Sequence, residues 1–290
     1  MDKIRILLKK NLIMEIEIKA YVEFSTNVGC PNECIFCPQD VHVNNYKGEL
    51  MLSLDNFKLM IDKLPQKCIV SFSGFTEPFK NQFCTEMIEY SSSKGHFINI
   101  YTTLKGMKIE HYERIRNIAN IQQMIIHLPD EENFGRIIVN NRLKQLLKYI
   151  VDYPPHNYCF WGFDIHGKEV HNELKKIVDI KKGYSYIHNR AGVLKSDDPN
   201  ILRVHWISGP IKCDNGFGEY KESGVVMPNG DVYYCCMCFD LQEKHRLGNL
   251  LHQSWDEVML SSVRSRMAED RVTAKYQDLC RFCADATKCR

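Results

Sequence analysis

The stretch Tyr21-Val22-Glu23-Phe24-Ser25-Thr26, and the Cys30-Pro31-Asn32-Glu33-Cys34-Ile35-Phe36-Cys37-Pro38 that follows it, decides the fold. The first six residues are rich in aromatic and β-branched side chains and read as a strand. Three cysteines then sit on the loop that leaves its C-terminal end. Downstream, strand and helix patterns alternate. Ser53–Leu64 reads as a helix with Ser53 as its N-cap, and Cys68–Ser73 as a buried strand bounded by Gly74. Asn81–Lys94 is helical up to Gly95, a natural C′ glycine. Phe97–Thr102 is a strand, Ile109–Ile118 a helix, Gln122–His127 a strand and Asn133–Val151 a helix. Asn157–Ile165 is a strand, Glu169–Ile180 a helix and Tyr184–His188 a strand. Six strands alternating with helices imply a parallel sheet. At roughly 30 residues per unit, six units fit the span and the eight of a closed barrel do not. The expected fold is α/β, a partial (βα)6 TIM-like barrel over residues 1–190. Its chemistry belongs at the C-terminal ends of the strands.

The whole chain has 290 residues with 38 Lys+Arg against 36 Asp+Glu, a net charge of +2. Such a balance carries no broad basic footprint for nucleic acid. With 44% hydrophobic and 26% charged residues the chain has globular rather than disordered composition. No apolar run approaches the ~20 residues of a bilayer span, and Arg5, Lys9 and Lys10 interrupt the apolar N-terminus, so it is no secretory segment. A cytoplasmic location without membrane contact is expected. The 13 cysteines then are not structural disulfides. They fall into two groups, Cys30, Cys34 and Cys37 early, and Cys213, Cys235, Cys236, Cys238, Cys280, Cys283 and Cys289 late, which reads as two metal sites. Cys68 and Cys84 read as core residues.

Three thiolates on a short loop hold one face of a metal centre. A zinc ion needs a fourth protein ligand, which His42 is placed to give. A cubane cluster on three cysteines keeps one iron open for a substrate or cofactor. Residues 191–212 carry Gly, Pro, Ser and Asp and read as a linker. Residues 213–290 hold the second group, with a hairpin around Pro228-Asn229-Gly230 and a helix from Trp255. Four thiolates there ligate either a cubane or zinc fully.

Cys30-x3-Cys34-x2-Cys37 with Phe36 before the last cysteine resembles the signature of the radical S-adenosylmethionine (SAM) enzymes. The resemblance implies that these cysteines hold a [4Fe–4S] cluster whose open iron is chelated by SAM. Reductive cleavage then yields a 5′-deoxyadenosyl radical that abstracts hydrogen from substrate, with Phe36 near the adenine. Ser73-Gly74-Phe75-Thr76-Glu77-Pro78 resembles the family's Gly-Gly-Glu-Pro segment, with Phe75 in place of the second glycine. It implies a SAM-binding role for Gly74, Phe75, Thr76, Glu77 and Pro78. Tyr101-Thr102-Thr103, His127-Leu128-Pro129-Asp130 and Asn189-Arg190-Ala191-Gly192 follow in the family's order, which implicates Thr102, Thr103, His127 and Arg190 in the same pocket.

Residues 213–290 resemble the SPASM/Twitch auxiliary-cluster domain, a β-hairpin plus helix. Cys289 is followed only by Arg290, so the one-cluster Twitch version fits the pattern better than the longer SPASM one. The resemblance implies an auxiliary [4Fe–4S] cluster on Cys213, Cys235, Cys280 and Cys283, with Cys289 as a substitute ligand. Cys236 and Cys238 are left as ligands, hydrogen donors or idle thiols. Asp164 and His166, after Phe160-Trp161-Gly162-Phe163, are candidates to hold polar groups or move a proton.

An auxiliary cluster near substrate accepts an electron, so the expected reaction is a two-electron, dehydrogenase-type oxidation of a small polar biosynthetic intermediate. A compact relative that oxidises an aminocyclitol alcohol is similar in kind. Two other readings remain. One is modification of a ribosomal peptide, by epimerisation with Cys236 or Cys238 as hydrogen donor or by crosslinking. The other is a non-catalytic, zinc-stabilised binding module. The family expectation for the electron donor is a flavodoxin or ferredoxin.

Overall fold

The computed structural model describes residues 3–8, 12–156, 159–178, 187–194, 201–202, 205–213 and 220–289. Strands β1 (Lys3–Leu8) and β2 (Leu12–Glu17) form an antiparallel hairpin ahead of the expected first strand. Strands β3 (Ala20–Phe24), β4 (Ile69–Phe72), β5 (Phe97–Thr102), β6 (Ile121–His127) and β7 (Phe160–Asp164) then pair in order, all parallel. Helices α1 (Gln39–Asn45), α2 (Leu54–Ile61), α3 (Cys84–Ser93), α4 (Ile109–Ile115) and α5 (Asn141–Asp152) fill the connections. Ser53 caps α2 by accepting from Asn56 N–H. In α5, Leu143, Leu146, Leu147 and Ile150 recur every three or four residues and are buried, which pins the helix to the sheet. Each such side chain contributes about 1.5–3 kcal/mol of burial.

The expected sixth strand, Tyr184–His188, falls mostly outside the described residues. Tyr184–Tyr186 lie outside the described residues, and Ile187 makes an isolated parallel bridge to Ile201. Next to β3 lies β9 (Glu222–Val226), parallel to it with Val22 opposite Gly224. Strands β10 (Asp231–Tyr233) and β11 (Arg246–Asn249) continue antiparallel, so one eight-stranded sheet runs β11-β10-β9-β3-β4-β5-β6-β7. The C-terminal hairpin thus grows out of the barrel sheet. Gly230 makes its turn at φ +84°, in a space already occupied by Leu251 and Asn249. A separate antiparallel pair, β8 (Ile211–Cys213) with β12 (Ala286–Lys288), sets Cys213 opposite Ala286. Helices α6 (Trp255–Met259) and α7 (Ser262–Thr273) complete the C-terminal part.

Two helices are shorter than their apolar pattern predicts. The expected helix Asn133–Val151 begins only at Asn141, because Asn133 and Arg136 take left-handed backbone angles and Asp130 accepts from Phe134 and Gly135 N–H. The expected helix Glu169–Ile180 contains a 3-10 turn, Asn172–Leu174, and its last two residues lie outside the described set. Among the described residues no helix is long and apolar enough to cross a membrane.

Candidate functional site

The C-terminal ends of β3 to β7 open into a cavity of about 660 Å³. Its wall includes Cys30, Cys34 and Cys37. The cysteine loop is tied down from several sides. Gln39 accepts from Cys30 N–H at 3.1 Å, and its amide donates to Phe75 O at 2.5 Å and toward Cys37 Sγ at 3.3 Å. Ile35 N–H donates to Phe134 O, and Cys34 Sγ reaches Gly135 O at 3.1 Å. The irregular backbone of residues 133–136, where a helix was expected, therefore braces the cysteine loop.

Glu77 is buried at 2% exposure. One carboxylate oxygen accepts from Thr102 Oγ1 at 2.7 Å and Phe79 N–H at 3.2 Å; the other accepts from Thr103 N–H at 2.6 Å and Thr103 Oγ1 at 2.7 Å. This carboxylate locks the end of β5 to the Gly74–Pro78 segment. Gly74 has φ +71°, and a methyl there would meet Ser25 Oγ at 2.3 Å. Ser25 Oγ accepts from Phe75 N–H at 3.0 Å, so the close approach is what shapes the segment. The Phe75 ring packs between His42 and Phe239, at 4.6 and 4.5 Å between centroids.

Phe36 packs on His166 at 3.8 Å between ring centroids, and Arg190 Nε donates to Phe36 O at 3.1 Å. His166 stacks on His127 at 5.3 Å, and His127 Nδ1 stands 3.2 Å from Asp164 Oδ2. Burial first, then the neighbouring His127, lowers His166 to about 3, which keeps its ring neutral. Of the expected SAM-pocket and catalytic residues, Phe36, Gly74, Phe75, Thr76, Glu77, Thr102, Thr103, His127, Asp164, His166, Arg190 and Cys236 all line the one cavity. Pro78 lies outside this lining; it is buried and accepts from Thr26 Oγ1 at 3.0 Å. Cys238 is buried at 1% among Val28, Phe75, Tyr233 and Phe239, and does not line the cavity either.

A second, small cavity is lined by Cys213, Cys235, Cys280 and Cys283, the four expected auxiliary ligands, together with Arg271 and Asp285. Cys289 is exposed and lies outside it. The hairpin β9–β10 delivers Cys235, the β8–β12 pair delivers Cys213, and the 3-10 turn Leu279–Phe282 carries Cys280. Asn189 joins this turn to the barrel, donating to Phe282 O at 2.7 Å and accepting from Ala284 N–H at 3.2 Å. His188 Nε2 lies 3.2 Å from Asp285 Oδ2 and 3.7 Å from Cys283 Sγ. Asp285 borders both cavities.

The donor sets fit iron–sulfur clusters. Burial raises Cys30 to about 11 and Cys280 to about 12, and neighbouring thiols add to both shifts. Such thiols ionise when a cation takes the charge. Tetrahedral zinc with bonds of about 2.3 Å needs sulfurs about 3.8 Å apart. Among the described residues, the groups with all ligand atoms within 4.8 Å of one another are His127–Asp164–His166 and His188–Cys283–Asp285, and neither cysteine set. His42 is fully buried, with Nδ1 3.3 Å from Phe239 O, and does not line the cavity as a fourth zinc ligand would.

The comparisons agree with this geometry. Residues 217–289 match the SPASM family, described as an iron-sulfur cluster-binding domain. The structure resembles that of BtrN in complex with AdoMet and 2-DOIA, with TM-score 0.63 and 16% identity over 93% of this chain and 94% of that one. It also resembles native anSMEcpe with bound AdoMet, with TM-score 0.55 and 12% identity over 85% and 82%. Streptococcus suis SuiB bound to precursor peptide SuiA gives TM-score 0.58 and 12% identity over 92% and 70%. Residues 217–289 are a SPASM iron-sulfur cluster-binding domain, and the chain as a whole shares the fold of these AdoMet-bound structures. No curated protein matches its sequence. In this barrel the sequence reading missed Glu23, Asn99 and Gln123, which also line the cavity. The available signal was a polar residue inside each of three apolar strands.

Proposed function

We propose that this chain is a radical SAM enzyme that carries out a two-electron, dehydrogenase-type oxidation of a small polar molecule. When bound, a [4Fe–4S] cluster with SAM supplies a hydrogen-abstracting 5′-deoxyadenosyl radical, and an auxiliary [4Fe–4S] cluster accepts the second electron. Cys30, Cys34 and Cys37 hold the first cluster; Cys213, Cys235, Cys280 and Cys283 hold the auxiliary one. Phe36 with His166, the Gly74–Glu77 backbone, Thr102, Thr103, His127 and Arg190 surround SAM. The observation that carries the reading is the shared wall: one cavity touches the three-cysteine loop and also Cys236, Met237 and Asp285, which neighbour the auxiliary ligands. Its 660 Å³ lies within the ~300–1,000 Å³ of small-molecule sites. The likeness to BtrN over nearly the full length of both chains supports a small substrate. His127 and Asp164 lie 3.2 Å apart in the cavity wall, and under this reading the pair takes up the hydroxyl proton.

The test is anaerobic reconstitution, iron and sulfide counting, then reductant and SAM. About eight irons per chain and formation of 5′-deoxyadenosine support the proposal. Zinc at both sites without SAM cleavage refutes it and favours the binding-module reading.

The thiol of Cys236 in the cavity wall favours a second reading, epimerisation of a peptide residue, with Cys236 returning the hydrogen atom. Deuterium incorporation from solvent into a peptide product, lost in Cys236→Ala, would select it. A flavodoxin or ferredoxin supplies the electron under either reading.

A further inference from the structure

His188 and Asn189 follow the bridge at Ile187, and between them they contact four consecutive residues near the C-terminus, Phe282 to Asp285. Asn189 donates to Phe282 O at 2.7 Å and accepts from Ala284 N–H at 3.2 Å, on either side of Cys283. His188 Nε2 lies 3.7 Å from Cys283 Sγ and 3.2 Å from Asp285 Oδ2. The turn that holds the histidine is itself constrained. Arg190 and Ala191 take left-handed angles, φ +51° and +52°, which non-glycine residues keep only where the surroundings impose them. The bend brings Arg190 N–H back onto His188 Nδ1 at 2.8 Å.

That last bond fixes the tautomer. A backbone N–H only donates, so Nδ1 accepts, and the ring hydrogen of the neutral imidazole sits on Nε2. Nε2–H therefore faces the Cys283 sulfur and the Asp285 carboxylate. Asp285 N–H also bonds the Cys283 sulfur, so two N–H groups converge on it. The other surroundings oppose a thiolate there: burial pushes the Cys283 thiol up, and so do the Asp285 carboxylate and the thiols of Cys235 and Cys280. His188 lines the barrel cavity and Cys283 the four-cysteine cavity, so one imidazole joins the two walls.

We propose that His188 is a positioning residue for the auxiliary cluster: its Nε2–H donates to the Cys283 thiolate and so sets the reduction potential of that cluster from the barrel side. A hydrogen bond to a ligand sulfur stabilises the reduced, more negative state and raises the potential. The Asp285 carboxylate beside the same sulfur acts in the opposite direction, by repulsion. The proposal rests on the auxiliary-cluster reading given above, and adds to it a residue that is not a ligand and that faces the space of the barrel cavity.

The test is an anaerobic redox titration of the reconstituted holoprotein, followed by electron paramagnetic resonance with and without SAM. The signal that SAM changes belongs to the cluster with the open iron, and the signal that SAM leaves alone belongs to the auxiliary cluster. His188→Phe keeps about eight irons and lowers the auxiliary midpoint. The reduced-to-oxidised ratio at a fixed potential then falls at least three-fold, about 28 mV at ~59 mV per ten-fold for one electron. His188→Gln, whose amide nitrogen takes the place of Nε2, keeps the parent midpoint, and Asp285→Asn raises it. An unchanged midpoint in His188→Phe, an equal fall in His188→Gln, or no rise in Asp285→Asn overturns the proposal. If His188→Phe loses the auxiliary irons, the other two variants decide. A parent-like midpoint in His188→Gln with a raised one in Asp285→Asn upholds the role; iron loss in His188→Gln as well overturns it, because His188 is then a ligand or a scaffold. A parent protein with about four irons and no signal that SAM leaves alone refutes the auxiliary-cluster reading itself, and this proposal with it.

Discussion

Cys235 and Cys236 are consecutive in the chain yet line different cavities: Cys235 borders the four-cysteine cavity, and Cys236 borders the large barrel cavity. The two residues follow β10 after Tyr234, where the backbone leaves the hairpin and successive side chains diverge. One backbone step thus separates the four-cysteine cavity from the barrel cavity.

This divergence predicts opposite outcomes for adjacent substitutions. Cys235→Ala loses about four of about eight irons, and Cys236→Ala keeps them all. Under the dehydrogenase reading, Cys236→Ala also retains turnover with the same product. Iron analysis and product mass spectrometry on the two variants check this. Iron loss in Cys236→Ala would place that thiol among the ligands and reject the assignment.

Glu23 predicts a pH dependence of stability. Burial, the largest influence, raises its carboxyl from the ordinary 4.5 to about 7, against the lowering effect of Ser73, the Gly74 N–H and Arg190. The fold therefore favours the protonated acid. Its contribution is fully present below about pH 4.5 and is lost as pH rises toward 7, by up to about 3 kcal/mol. Glu23→Gln has no such titration. The stability of the parent relative to Glu23→Gln should fall across this window in urea melts of the holoprotein; parallel curves would mean that the carboxyl is not held protonated.

Gly74→Ala should fold poorly or bind SAM weakly. The residue sits at φ +71°, and its new methyl would stand 2.3 Å from Ser25 Oγ, which also holds Phe75 N–H. The cost is about 1–3 kcal/mol, and SAM affinity falls because the segment must shift. Combining Gly74→Ala with Ser25→Gly removes the clash and should restore part of the stability while leaving the strain in φ. Calorimetric SAM titration and thermal melts of both variants measure the two effects; unchanged affinity in Gly74→Ala would show that this segment does not shape the SAM site.

The three-cysteine loop and the order of the barrel strands were legible because they are local: spacing on one loop, or apolar runs of four to seven residues with turn signals between them; the grouping of Cys213, Cys235, Cys280 and Cys283, far apart in the chain, came only from the resemblance. The parts that were not legible depend on distant partners. Residues 133–140 have helical periodicity, but Asp130 takes the Phe134 and Gly135 N–H groups, and Ile35 and Cys34 draw on the carbonyls. The pairing of Glu222–Val226 with β3 joins segments some two hundred residues apart. Glu23, Asn99 and Gln123 each look like an isolated polar residue in an apolar strand; only the register shows that they form one row. Asp285 carries no local sign of facing both cavities.

The last prediction concerns what holds Cys280 and Cys283 in place. Arg281 lies between them, with 0% exposure, and Asp270 at the end of α7 has 1%. Arg281 Nε donates to Asp270 Oδ2 at 3.3 Å, and its other nitrogens donate to the carbonyls of Asp270, Ile207 and Gly209. Asp270 in turn accepts from the N–H groups of Tyr276, Gln277 and Asp278, so the pair builds the loop that leads into the auxiliary cysteines. Arg281→Met leaves a buried carboxylate without its cation, a loss of about 3–5 kcal/mol. The loop should then loosen, and the auxiliary site should lose iron before the three-cysteine site does. Adding Asp270→Asn removes the stranded charge and should recover part of the stability, since the carboxamide oxygen still accepts from the loop. Urea melts with iron counts on the single and double variants check both halves. Full iron content and unchanged stability in Arg281→Met would mean that the cysteine turn is held by the β8–β12 pair and Asn189 alone.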